Sequence, residues 1–118
     1  MNKLGVIQII DSLRVGGAEV LAVNIANGLS KQEVDSHLCV TRSEGILKEN
    51  LNPNVGYIFL NRKKIIDFNA IIKLNKYIKK HHIKIVHAHS SSSFIAVCIK
   101  ILRPKIKIVW HDHYGGSE

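Results

Sequence analysis

The chain has 118 residues, 46% of them hydrophobic, which suits one packed domain and excludes a disordered chain. No apolar run approaches the roughly 20 residues of a membrane-spanning helix, the N-terminus turns acidic too early for a signal peptide, and two cysteines are too few for a disulfide framework. Lys and Arg number 17 against 9 Asp and Glu, a net charge of +8 that attracts anionic partners.

Leu4 to Ile10 reads as a continuous apolar strand of the kind buried on both faces in a parallel sheet. A turn carrying Gly16 and Gly17 follows, then a helix from about Ala18 to Ser30. Ala18, Leu21, Ala22, Ile25 and Leu29 fall on one stripe of that helix. Asp35 to Thr41 is a second strand, Glu44 to Leu51 a small helix, and Val55 to Leu60 a third strand. Asp67 is placed to cap the next helix, which is expected to run to about His82. Phe68, Ile71, Leu74 and Ile78 make its inward stripe, while Lys73, Lys76 and Lys80 point outward. "IKIVHAH" is a fourth strand, "SSSSFIAVCIKIL" a helix stopped by Pro104, "KIKIVW" a fifth strand, and "HDHYGGSE" a loop.

Five strands separated by helices imply an α/β fold: a Rossmann-like open sheet, mostly parallel, with helices on both faces and residues 1–118 forming a single domain. Ligands of such sheets bind beyond the carboxyl ends of the strands. The glycine turn, "HAHSSSS" and "HDHYGG" all fall there. Cys39 and Cys98 lie within apolar segments and read as buried free thiols of a cytoplasmic protein.

The positive charge is concentrated, with eight Lys or Arg and one acid, Asp67, between Arg62 and Lys84. A solvated helix face accounts for such a block, and so do phosphorylated substrates or an anionic membrane reached through Lys73, Lys76 and Lys80. Nucleic acid is not expected as a partner, because no recognition motif is present and aromatics are few.

Gly16 and Gly17 permit positive φ and let a ligand touch the backbone, while the following helix aims its free N–H groups at the same space. A plain strand-to-helix turn is the competing reading. The dinucleotide fingerprint is not met, and no phosphate-loop lysine is present. His87 and His89 are two apart on a strand and lean to one face. His111 and His113 repeat the spacing, with Asp112 between them. Three readings fit: a metal site, histidines bonded into loop backbone, and a polar substrate site.

"GGAEVLAVNIANGL", "KIVHAHSSSS" and "IVWHDHYG", in this order, resemble the N-terminal, acceptor-side domain of family 4 glycosyltransferases. The resemblance implies half of a GT-B fold, in which two Rossmann-like domains face each other across a cleft. It also implies that the nucleotide-binding C-terminal domain, with its paired glutamates, lies outside these residues. It makes Gly16 and Gly17 a loop against the donor phosphates and sugar, and His111 the residue at the reaction centre. His89 and Ser90 border the acceptor, with Asp112 and His113 beside His111 as further substrate contacts. The implied activity is retaining transfer of a sugar from a nucleotide-sugar donor to a glycan or lipid-linked acceptor in surface polysaccharide synthesis. No bound metal or other cofactor is implied. This half alone is expected to be inactive, and the whole enzyme to sit in the cytoplasm or on the inner face of the cell membrane. Two other readings stand beside it. One is a small metal-dependent hydrolase built on His87, His89, His111 and His113; the other is a non-catalytic flavodoxin-like binding domain.

Overall fold

A computed structural model describes residues 3–89 and 92–111. In chain order the elements are β1 (Leu4–Ser12), α1 (Gly17–Ser30), β2 (Val34–Ser43), a 3-10 helix at Ile46–Asn50, β3 (Gly56–Phe59), α2 (Phe68–Lys80), β4 (Ile83–His89), α3 (Ser93–Leu102) and β5 (Lys107–His111). The strands form one sheet in the order β3-β2-β1-β4-β5, and every pairing is parallel. This is the Rossmann-like α/β architecture. β1 sits at the centre because its residues are apolar on both faces: Ile7 and Ile9 pack toward α2 and α3, Ile10 toward α1.

The two faces carry separate cores. One joins Ile7, Ile9, Cys39 and Val86 to Leu74 and Ile78 of α2 and Ile95 and Ile99 of α3. The other joins Ile10, Leu13, Leu38 and Val40 to Ala22, Val23 and Ala26 of α1. Removing a side chain such as Leu74 or Leu38 from water contributes about 1.5–3 kcal/mol. Both thiols are free; burial pushes that of Cys39 well above the usual range, while Cys98 is only partly buried.

The helices correct two expected stripes. On α1 the buried line is Ala22, Val23 and Ala26, with Ala18, Leu21, Ile25 and Leu29 half-buried beside it. On α2 Ala70 joins Ile71, Leu74 and Ile78 in the core, whereas Phe68, expected inward, is 72% exposed. Phe68 is the first helical residue and stays in solvent even though its spacing from Ile71 matches the inward stripe. The Asp67 carboxylate accepts the amides of Ala70 at 3.2 Å and Lys63 at 2.8 Å, and these bonds hold its carboxyl below the usual range. The helix ends at Lys80, short of the expected His82, which adopts a left-handed φ of 54° and turns the chain into β4.

The segment after β2 is a 3-10 turn rather than an α-helix. Its single buried residue is Leu47, whose amide donates to the Leu13 carbonyl at 3.0 Å. That bond ties the segment to the loop leaving β1. No helix among the described residues is long and apolar enough to cross a membrane.

Candidate functional site

The strand order reverses between β1 and β4, so the loops leaving these two strands diverge to opposite faces, and at such a reversal open parallel sheets form their ligand crevice. On the β1 side the chain runs from Ser12 to Gly17. Gly16 is extended (φ −176°, ψ 164°), and no glycine among the described residues has positive φ. The positive φ that these glycines permit is therefore not used. What glycine supplies is space. A Cβ on Gly17, the first residue of α1, would meet nothing within 4 Å, whereas one on Gly16 would press on the Glu19 carboxylate, a flexible side chain that would have to swing aside. α1 has no side-chain cap, which leaves its first amides facing the crevice. Glu19, held at 3.3 Å by the Ser12 hydroxyl, favours a hydroxyl donor over a bare phosphate beside Gly16.

These facts separate a ligand role from a folding role. Gly17→Ala should leave stability unchanged, or raise it by up to about 1 kcal/mol, because alanine suits a helix and meets no neighbour. If a ligand needs that space, the alanine should still weaken its binding at least about tenfold. Melting and ligand titration on the same preparation decide; unchanged binding would make the glycine a matter of chain geometry alone.

On the β4 side His87 and His89 share a face with Gln8 of β1, and the register sets Gln8 beside His87 and His89 beside His111 of β5. His89 is fully buried and its Nε2 lies 2.7 Å from Gln8 Oε1. An acceptor oxygen there requires His89 Nε2 to carry the proton. The His89 amide donates to Ser92 Oγ at 3.0 Å, and the Ser92 hydroxyl donates to the Ile9 carbonyl at 2.9 Å or to the His89 carbonyl at 2.8 Å. Ser92 thus pins the β4–α3 corner to β1. His111, half-buried at the end of β5, completes the group.

The three rings stack, with centroids 4.2 Å apart for His87–His89, 5.5 Å for His87–His111 and 5.6 Å for His89–His111. Their possible ligand atoms lie within 4.8 Å of one another. Interplanar angles of 30°, 10° and 22° nevertheless set the in-plane lone pairs side by side instead of converging on a point. His89 Nε2 is also committed to Gln8. A tetrahedral metal needs convergent donors, which these rings would present only after turning, so the arrangement as it stands lends the hydrolase reading a ligand set but not a formed centre. It fits a row of hydrogen-bonding groups along the crevice. Ser90, Asp112 and His113 lie outside the described residues.

Sequence reading missed four residues of this rim. Gln8 is fully buried, and its Nε2 meets no hydrogen-bond partner among the described residues. Asp11 accepts from Thr41 Oγ1 at 2.5 Å and faces the Arg62 guanidinium at 3.6 Å. One polar residue inside "GVIQII" and one acid closing that strand were the available signals.

The sequence model of Glycosyltransferase Family 4 matches residues 15–117, a span from the loop before the glycines to beyond His111. No curated protein matches the chain.

Proposed function

Because the chain belongs to glycosyltransferase family 4, we propose that it forms the acceptor-side wall of a retaining enzyme that moves a sugar from a nucleotide-sugar donor to a glycan or lipid-linked acceptor. The observation that carries this reading is the crevice at the β1/β4 reversal, where the glycine loop faces the row His87, His89 and His111. A sugar lying there has open backbone at Gly17 on one side and imidazoles on the other. His111 is the half-exposed member of the β4–β5 pair, able to hydrogen-bond the sugar as charge develops at its anomeric carbon. His89, buried and fixed by Gln8, sets the position of its neighbours. The donor's nucleotide is held mainly by the second domain that the family supplies.

The product is a surface polysaccharide or lipid-linked glycan, made in the cytoplasm at the inner face of the cell membrane. Lys73, Lys76 and Lys80 support the peripheral placement: all three are exposed on α2, although Lys73 also donates to the Phe59 carbonyl at 2.7 Å. Each lysine beside an acidic bilayer is worth about 1 kcal/mol.

Calorimetry on the 118-residue chain tests the division of labour. This wall offers a nucleotide sugar two or three hydrogen bonds, each worth about 1 kcal/mol net, against the entropy of capturing a free ligand. Affinity should be millimolar or weaker, and transfer undetectable. Micromolar binding would place the donor site on this domain and overturn the acceptor-side assignment.

A further inference from the structure

Beside the histidine crevice, the carboxyl ends of β1, β2 and β3 bring together Arg14, Arg42 and the run Arg62-Lys63-Lys64. These five cations surround one open pocket of about 460 Å³, and no carboxylate lines it. Nearby acids are already engaged: Asp11 with Thr41 and Arg62, Glu44 with Lys48 and Tyr57, and Asp67 with the amides of Lys63 and Ala70. Arg62 is the fixed member. Its side chain is 12% exposed, with one nitrogen 3.6 Å from Asp11 and another donating to the Lys64 carbonyl at 3.0 Å. Asp11, Arg42, Arg62 and Ile65 also line an adjoining pocket of about 220 Å³ that reaches Ser92 and Phe94 at the start of α3. The cationic pocket is thereby joined to the β4–α3 corner that Ser92 bonds to His89.

The chain leaving this pocket turns apolar and stays in water. Ile65 is 74% exposed, Ile66 51% and Phe68 72%, and Ile66 and Phe68 share a groove of about 450 Å³ with Lys63 and Lys64. A solvated basic face explains the lysines but not three large apolar side chains set among them. A soluble anion would use the cations and leave the apolar ledge idle. An amphiphile with a phosphate head and a hydrocarbon tail uses both.

We propose that Arg14, Arg42, Arg62, Lys63 and Lys64 form a subsite for the phosphate or diphosphate of a lipid-linked acceptor, whose hydrocarbon chain leaves along Ile65, Ile66 and Phe68. The inference rests on the glycosyltransferase reading and narrows its acceptor to a lipid phosphate. The head group sits in the cationic pocket, and the sugar to be extended reaches past Ser92 toward His111.

The test uses the full chain with phosphatidylcholine vesicles carrying a long-chain polyprenyl diphosphate, phosphatidylglycerol at equal charge density, or no anionic lipid. Binding to the diphosphate vesicles should be at least about tenfold tighter than to phosphatidylglycerol vesicles, as expected for several charge-assisted hydrogen bonds to one head group. Arg42→Gln and Arg14→Gln, both on exposed side chains, should each reduce that preference about three- to tenfold. Arg62→Gln is informative only alongside them, because Arg62 also braces the loop. The Ile65→Ser/Phe68→Ser pair should weaken vesicle binding and leave inorganic diphosphate binding unchanged. Equal binding to the two anionic vesicles overturns the subsite in favour of general attraction to a charged bilayer. Inorganic diphosphate binding as tightly as the vesicles overturns the lipid tail. A vesicle preference in a protein whose complete form transfers no sugar would instead count against the enzymatic reading while sustaining the subsite.

Discussion

In the complete enzyme, His111→Ala should lower turnover by about ten- to a thousandfold, the range for losing one polar contact that strengthens in the transition state. The domain should remain folded. His111 ends an edge strand and is half-buried, and its ring meets its neighbours by stacking at 5.5 and 5.6 Å rather than by filling the core. Its loss removes little apolar burial, so the melting temperature should move by no more than a few degrees. Turnover and melting must be read together. A variant that melts early yet turns over normally at a temperature where it is folded would make His111 a structural residue. His89→Ala should behave in the opposite sense. That ring is fully buried and bonded to Gln8, so its removal leaves a cavity and a second unsatisfied polar group on Gln8.

The largest expected loss of stability comes from a residue with no chemistry. Gly45→Ala should destabilise the fold by about 1–3 kcal/mol, lowering the melting temperature by roughly 5–15 °C. Its backbone is extended (φ −156°, ψ −178°), a conformation open to any residue, so the requirement is not conformational. An added Cβ would overlap the carbonyl carbon and oxygen of Leu13 and lie 2.6 Å from the Arg14 amide. Those are backbone atoms and cannot rotate away. Leu13 is fully buried, and its carbonyl already accepts from Leu47, so the loop cannot shift without breaking that bond. Because the same loop carries Arg14 and leads to Gly16, the variant should lose turnover as well as stability. Thermal melts of Gly45→Ala and Gly17→Ala side by side are the direct comparison. Equal melting temperatures would show that the loop yields and that this contact is not a constraint.

The legible parts of the fold were those written locally. A strand apolar on both faces has to be central, and "GVIQII" put β1 there. The Asp67 cap was legible because a carboxylate three residues before a helical amide satisfies it whatever else the chain does. The cationic pocket was not legible. Arg14, Arg42 and Arg62 are separated by whole α/β units, and only the parallel order β3-β2-β1 sets their strand ends side by side. In the sequence the lysines that follow one another along α2 stand out instead. The glycine turn was legible in its place, but a pair of glycines signals left-handed backbone and open space equally well, and only the open space is used. His87 and His89 were placed on one face by strand period, yet the partner that fixes His89 is Gln8, some 81 residues away.

The strand order β3-β2-β1-β4-β5 also sets when the crevice can exist during synthesis. β1, α1, β2 and β3 are contiguous in the chain and can pair as they leave the ribosome, covering one face of the growing sheet with α1. The other side of β1 stays open until Ile83–His89 has been made. The glycine loop is thus among the first features formed and the histidine row among the last, brought up by the final β-α-β segment. Until then Ile7 and Ile9 can meet Leu74 and Ile78 of α2 but await Ile95 and Ile99 of α3, so a ribosome paused before β4 displays part of an apolar sheet face. The histidine row on which the proposed site relies is thus set by the same strands that close the fold, so the two walls of the crevice face each other only once β4 and β5 have paired.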